Sequence, residues 1–146
     1  NISLPTEAQW EYSARSGGEL VVYATGSGNF EYGKDIPSGE QRYQMTDESV
    51  YNIPVGKFPP NKSGLYDMAG NGVDWVKDWY SEKYYRQSPK NNPQGPENGM
   101  EKVVRGYQSG GGVMTNQSVF RQHEKSYPGE EGHGFPPNYN FRCVIN

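Results

Sequence analysis

The 146-residue sequence has few apolar side chains and almost no cysteine. Only 32% of its residues are hydrophobic, and no stretch approaches the ~18 consecutive apolar residues that a membrane-spanning helix needs. Its single cysteine, Cys143, excludes a disulfide within the chain. The net charge is -3, and lysine and arginine form no cluster. We therefore expect neither a membrane span nor a nucleic-acid-binding surface.

Aromatic residues, glycine and proline are abundant instead. There are 12 Tyr, 5 Phe and 3 Trp, so a core has to be built from large amphipathic rings. The 19 Gly and 11 Pro predict many turns and few long regular elements. The length fits one domain at most. These features predict a loop-rich α+β domain.

The first predicted element is a short helix. Thr6 is a suitable N-cap, and Gln9 follows it at capping-box spacing. Gly17 and Gly18 are expected to end the helix. Trp10 lies inside it, and we expect its ring to pack in the core.

The remaining elements are less clearly marked. Leu20–Tyr23 is a candidate short strand, and residues 26–40 read as a long polar loop. Met100–Gln108 predicts a strand. Asn138–Asn146 alternates enough to predict a closing strand.

The stretch Gly64–Tyr80, GLYDMAGNGVDWVKDWY, organises the chain because it concentrates glycines, acids and two tryptophans. Trp75 and Trp79 are one helical turn apart, and they would cover one face of a core that also holds Trp10. Asp67 and Asp74 flank the glycine-rich loop. Carboxylates with loop carbonyls suit calcium, but a turn residue and a solvated charge remain the alternative.

Five motifs together resemble the formylglycine-generating enzyme, or sulfatase-modifying factor, family. In chain order they are LPTEAQWEYSARSGG, PVGKFPPNKSGLYDMAGNGVDWVKDWY, NPQGP, KVVRG and NFRCV. The resemblance implies a C-type-lectin-like fold with little regular structure. It also implies that residues 1–146 form a single domain that corresponds to the C-terminal part of the family's domain.

The same resemblance implies a structural calcium ion. In the family it is held by the polar side chain after a Tyr, by carbonyls of the glycine loop and by the acid before a Trp. A second family calcium site has only Asp47 as a match. The positions that match the first site are Asp67, Gly70, Gly72 and Asp74.

The resemblance does not extend to the copper site of the active enzymes, which hold copper(I) with two cysteines because soft thiolates suit that ion. Their positions fall on Gly111 and Asn116, and the usual serine falls on Gln108, beside Tyr107. Of the family's pocket residues, Asn138 is retained. No copper is therefore expected.

The roles of the histidines and of the cysteine each have two possible interpretations. His123 and His133, with nearby glutamates, could hold non-heme iron, but a surface loop is the preferred interpretation. Relatives often pair the cysteine of FRC with one that precedes the first helix. Cys143 is instead expected to be a buried free thiol.

Two function hypotheses follow. In the first, the chain is a non-catalytic module that binds a protein or a small molecule, as the variable proteins of diversity-generating retroelements do, with an extracytoplasmic location preferred. In the second, it is part of an oxidase or iron enzyme completed by a missing N-terminal segment or a second subunit. The binding face of the first hypothesis comprises Tyr107, Gln108, Gly111, Asn116, Phe120, His123 and Asn138.

Overall fold

The structure, a computed structural model, describes residues 1–47, 52–106, 112–125 and 139–145. Its regular elements are short and separated by long irregular segments, as the composition predicts. In chain order they are β1 Ile2–Ser3, α1 Glu7–Ala14, α2 Gly39–Thr46, β2 Val73–Trp79, a 3-10 turn Tyr84–Arg86, β3 Glu101–Gly106, α3 Gly112–Thr115, β4 Arg121–Lys125, β5 Tyr139–Phe141 and β6 Val144–Ile145.

Four strands form the main sheet in the order β4-β3-β2-β5. The β4–β3 and β3–β2 pairs are antiparallel, and β5 adds to β2 in parallel. Val104 in β3 lies opposite Trp75 in β2 and Gln122 in β4. The ends of the described chain, β1 and β6, form a separate antiparallel pair.

Helix α1 has the capping predicted from the sequence. The Thr6 side chain accepts the Gln9 N–H, and the Gln9 side chain accepts the Thr6 N–H, which satisfies two free amides at the helix start. The chain turns away after Arg15 through positive φ angles at residues 16–18. Trp10 is 1% exposed, as expected of a core residue.

The tryptophans of the stretch Gly64–Tyr80 lie in strand β2. The spacing of Trp75 and Trp79 had suggested a helix instead. In β2 the side chains of Asp74, Val76 and Asp78 are buried, whereas the alternate side chains after Val73 are half-buried or exposed. A spacing of four places two residues on one face of a strand as well as of a helix, so the spacing alone could not decide. The buried face of β2 packs against α1.

The predicted core of three tryptophans is therefore wrong in part. Trp75 lies on the other side of β2, where its ring stacks on Tyr139 with 5.0 Å between centroids. Only Trp10 among the tryptophans belongs to the buried cluster of the described residues. Leu65 and Tyr80 pack against that cluster, whose members are Trp10, Ala14, Ala24, Met68, Val76 and Val103.

Two further predictions need correction. Leu20–Tyr23 is not a strand, since only Tyr23 makes an isolated bridge, to Gln117. The loop predicted for residues 26–40 runs into helix α2. Ser38 and Gln41 form a complete capping box at the start of α2, a signal that was present in the sequence but obscured by the polar composition.

The two predicted C-terminal strands are present with altered bounds. The strand predicted for Met100–Gln108 is β3, and its last two predicted residues lie outside the described part of the chain. The closing strand is divided into β5 and β6. None of the described helices is long and apolar enough to cross a membrane.

The position of Trp10 generates a stability prediction. We expect Trp10→Ala to lower the free energy of unfolding by ~3 to 5 kcal/mol, because it empties a large buried volume. We expect Trp75→Ala, at a half-buried position, to cost only roughly 1 to 2 kcal/mol. Denaturant unfolding of both variants and the wild type measures the difference. Equal losses would show that the core is not centred on Trp10.

Candidate functional site

The glycine-rich loop before β2 is tied to its surroundings by side-chain amides and carboxylates. Asp67 has a φ of 55° and accepts the Gly56 N–H at 2.8 Å. The Asn71 amide bonds both to the N–H and to the carbonyl of Ile53. The backbone of Asp67 thus takes a left-handed conformation, and its carboxylate stays half-exposed.

Asp74 is buried, contrary to the reading of it as a solvated charge. Its Oδ2 accepts a hydrogen bond from Trp10 Nε1 at 2.8 Å and one from Arg142 Nε at 2.6 Å. The other nitrogens of Arg142 donate to the carbonyls of Tyr66 and Asp67, at 3.4 and 3.2 Å. The guanidinium of Arg142 thus joins the Asp74 carboxylate to the backbone carbonyls of Tyr66 and Asp67.

The predicted calcium ligands fit such an ion only in part. The Gly70 carbonyl already accepts a hydrogen bond from Arg42, and the Asp74 carboxylate already accepts one from Arg142. Within the described ranges no three acidic, histidine or cysteine side chains gather as a metal cluster. Most ligands of a calcium here would thus be carbonyls or water. Asp47, the match for a second site, is the exposed C-cap of α2, with a φ of 58°.

Three of the seven predicted binding-face residues lie in the described part. Asn116 is buried, at 3% exposure, so its amide lies below the surface. Phe120 is half-buried. His123 projects from β4, with its Nδ1 2.8 Å from Glu101 Oε2. The other four residues, together with His133, lie outside the described residues: Tyr107, Gln108, Gly111 and Asn138.

A buried network of charges joins α1 to the sheet. It was not predicted from the sequence. Arg105 in β3 is 0% exposed. It donates to Glu7 and Glu11, each at 2.8 Å, and to the Ser118 carbonyl at 2.6 Å. Arg121 in β4 binds the same Glu7 carboxylate at 2.8 and 3.0 Å. The sequence feature that could have indicated this network is the pair of acids one helical turn apart in α1, Glu7 and Glu11.

Aromatic rings flank this network on its β4 side. The Arg121 guanidinium carbon lies 4.7 Å from the Tyr80 ring centroid and 4.6 Å from that of Tyr85. Tyr80 also stacks on the His123 ring at 3.9 Å. Burial, together with the charge and hydrogen bond of Glu7, raises the pKa of Tyr85 to about 12. Tyr85 is thus a hydroxyl donor at physiological pH.

Asp78 is the third buried acid beside α1. Its Oδ2 accepts the Glu7 N–H at 2.8 Å, which satisfies one of the free amides at the helix start. Burial raises the pKa of Asp78 above its ordinary value of 3.8, and the nearby Glu7 charge adds to the effect. The hydrogen bond from the Glu7 N–H lowers this pKa, and so do the positive charges of Arg121 and Lys102.

Cys143 is exposed and free, so the expectation of a buried thiol was wrong. It lies between β5 and β6, where the chain leaves the main sheet for the small β1–β6 pair. Among the described strands, β6 pairs with β1.

Comparison with solved structures defines the fold class. PvdO from Pseudomonas aeruginosa superimposes with a TM-score of 0.61 at 27% identity, over 85% of this chain and 47% of that one. The Treponema denticola variable protein 1 superimposes with a TM-score of 0.54 at 24% identity, over 85% and 42%. The chain has a loop-rich, C-type-lectin-like α+β fold.

Sequence comparison then identifies the family. The model of the sulfatase-modifying factor enzyme 1-like domain matches residues 1–146, and the chain belongs to this family. The formylglycine-generating enzyme of Streptomyces coelicolor is 40% identical over 70% of this chain and 34% of its own length. That of Bos taurus is 32% identical over 98% and 38%.

A third relative has a different name. The serine/threonine-protein kinase pkn1 of Chlamydia pneumoniae is 38% identical over 106 residues, which cover 70% of this chain and 15% of the kinase. The chain thus spans between 15% and 38% of the length of these three relatives. The family is consequently shared by proteins of different overall organisation.

The raised pKa of Asp78 generates a prediction about pH. The folded state holds the proton more tightly than the unfolded state does, so the wild type loses stability as pH rises from 3.8 through the folded-state pKa. Asp78→Asn removes this loss. We therefore expect the stability of Asp78→Asn, relative to the wild type, to increase as pH rises from 3.8 to neutral. Urea unfolding across that range measures it, and a constant difference would contradict the burial of this carboxyl.

Proposed function

We propose that the chain is a non-catalytic, ligand-binding module of the formylglycine-generating enzyme-like family. The observation that carries this proposal is the absence of a thiolate pair. Gly111 and Asn116 occupy the two positions that match the copper-binding cysteines, and the one cysteine of the sequence is Cys143. Cys143 is exposed between β5 and β6, and a single thiol does not provide the paired soft ligands that copper(I) requires.

The rigid support of the predicted binding face favours recognition as its role. Arg105, near the end of β3, has its side chain fixed by three partners, and Arg121 begins β4 with Glu7 and two rings around it. Of the described face residues, His123 lies in β4 and Phe120 directly precedes it. A rigid sheet that presents aromatic and amide side chains suits a protein or small-molecule ligand.

A second candidate function is part of an active oxidase. The 40% identity with a formylglycine-generating enzyme favours it, as does the short share of that enzyme which the chain covers. In this case the missing catalytic groups would come from residues outside the chain or from another subunit. Both candidates predict the same fold but opposite results in a test of thiol chemistry.

The proposal predicts no conversion of cysteine to formylglycine. We expect a sulfatase-type peptide incubated with the protein, copper and oxygen to keep its cysteine mass, because no thiolate pair activates oxygen. Mass spectrometry reads the peptide, and an active formylglycine-generating enzyme run in parallel shows that the conditions are adequate. Formation of the aldehyde by this chain would overturn the non-catalytic role.

A matched variant tests whether the two positions are correctly assigned. The double substitution Gly111→Cys and Asn116→Cys restores both thiols without changing Cys143. We expect it to bind copper(I) much more tightly than the wild type, since two thiolates at the family's spacing suit that ion. Each single variant is the control. Equal copper(I) affinity of the double and single variants would show that the positions are wrongly assigned.

We further propose that the loop before β2 binds calcium as a structural ion. The Asp74 carboxylate and the carbonyls of Tyr66 and Asp67 already surround one cation there, the guanidinium of Arg142. The carboxylate of Asp67 is half-exposed and faces no ion pair within the described residues. Calcium would lie between Asp67 and Asp74 and draw its other ligands from the carbonyls of Gly70 and Gly72 and from water.

Calcium binding predicts a stability effect. Excess calcium should raise the melting temperature and a chelator should lower it, because the ion binds the folded state alone. Asp67→Asn should reduce this response, while its amide oxygen can still accept the Gly56 N–H. Asp67 is a better test than Asp74, whose carboxylate also holds Trp10 and Arg142. If neither calcium nor the chelator changes the melting temperature, the loop does not bind a structural calcium ion.

A further inference from the structure

A cavity of about 350 Å³ opens beside α1, away from the proposed calcium loop. It lies between one side of α1, the turn at Gly18, strand β2 at Asp78 and the segment from Tyr84 to Pro93. Its size is in the range of small-molecule sites. None of the described residues of the predicted binding face, Asn116, Phe120 and His123, lines the cavity, so it is a second place where a ligand could bind.

Carboxyl groups predominate among the charges that line this cavity. Three acids line it, Glu7, Glu11 and Asp78, and one base, Arg15. Arg15 is held by Glu11 at 3.2 Å and by the Glu19 carbonyl at 3.0 Å. Acids thus outnumber bases among the lining residues, although arginines outside the lining also pair with Glu7 and Glu11.

The ion pairs leave one of the three acids without a cationic partner. Glu7 and Glu11 are each neutralised by buried or half-buried arginines of the network. Among the described residues no ion pair reaches Asp78, although it is only 4% exposed. Its Oδ2 accepts the Glu7 N–H, and no described donor bonds to its Oδ1. A buried carboxylate without an ion pair is stabilised by a cationic partner.

Tyrosine rings form the outer wall of the cavity. Tyr12 and Tyr85 are 62% and 57% exposed, and Tyr84 is half-buried beside them. The faces of tyrosine rings attract organic cations, and several rings with a nearby carboxylate are the usual setting for an ammonium group. Pro93 adds an apolar surface for the carbon atoms of such a ligand.

We propose that this cavity binds a small organic ammonium compound, with its charged nitrogen directed to Asp78 and its alkyl groups against the tyrosine rings. The ligand gives Asp78 the direct ion pair that Glu7 and Glu11 already have within the described residues. This site is independent of the proposed role of the chain as a non-catalytic module, because it uses neither the predicted binding face nor the positions of the absent cysteines.

The first experiment compares a cation with its neutral carbon isostere. Isothermal titration calorimetry is run with choline and with 3,3-dimethyl-1-butanol, which has the same shape but no charge. We expect choline to bind at least about tenfold more tightly at neutral pH, since the carboxylate and the rings distinguish charge. Equal affinities, or no binding of choline, would overturn the proposal.

Variants then place the bound cation. Asp78→Asn keeps an oxygen for the Glu7 N–H but removes the charge, and we expect it to weaken choline binding by about tenfold or more. Tyr12→Ala should weaken it about two- to fivefold. The matched control is Tyr43→Ala, at a similarly exposed ring on α2 that does not line the cavity.

The outcomes separate this site from the other proposals. Unchanged choline affinity in Asp78→Asn and Tyr12→Ala would show that choline binds elsewhere and would overturn the assignment. Thermal melts of each variant confirm that it is folded, and Tyr12→Ala keeps the test decisive if Asp78→Asn is unstable. Formylglycine formation by the wild type would refute its non-catalytic role without affecting the choline result.

Discussion

The buried guanidinium of Arg105 is the contact on which the rest of the structure depends. It joins both acids of α1 to β3 and to the Ser118 carbonyl, and so it fixes the helix, the sheet and the segment before β4 together. Removal of one partner from such a pair typically costs about 3 to 5 kcal/mol, because the other charge is left buried and unpaired. The network lies beside the apolar cluster, since the Arg105 guanidinium carbon is 5.1 Å from the Trp10 ring centroid.

Local signals predicted local structure well. The capping box at Thr6 and Gln9 gave the start of α1, and the apolar run before Arg105 gave β3. The spacing of Trp75 and Trp79 was ambiguous because it suits both a helix and a strand. Helix α2 was missed because its residues are polar throughout, so that only its cap marked it.

The candidate sites show the limit of sequence reasoning more clearly. The loop acids were identified from their spacing, but the guanidinium between them comes from Arg142, 68 residues beyond Asp74. Similarly, Asp78 contributes to α1 across 71 residues. No periodicity or motif encodes such pairs, since they depend on how the sheet brings distant segments together. The family resemblance supplied the fold, whereas the partners of each buried charge required the structure.

The sequence separation of the Glu7 partners also has a consequence for the order of folding. Arg105 and Arg121 follow Glu7 by 98 and 114 residues, so Glu7 gains these two partners only after most of the chain has been synthesised. Contacts of such long range make folding slow. On the ribosome, α1 would remain undocked and solvated until β3 and β4 emerge, and a chain stopped before them would expose Trp10 to chaperones and proteases.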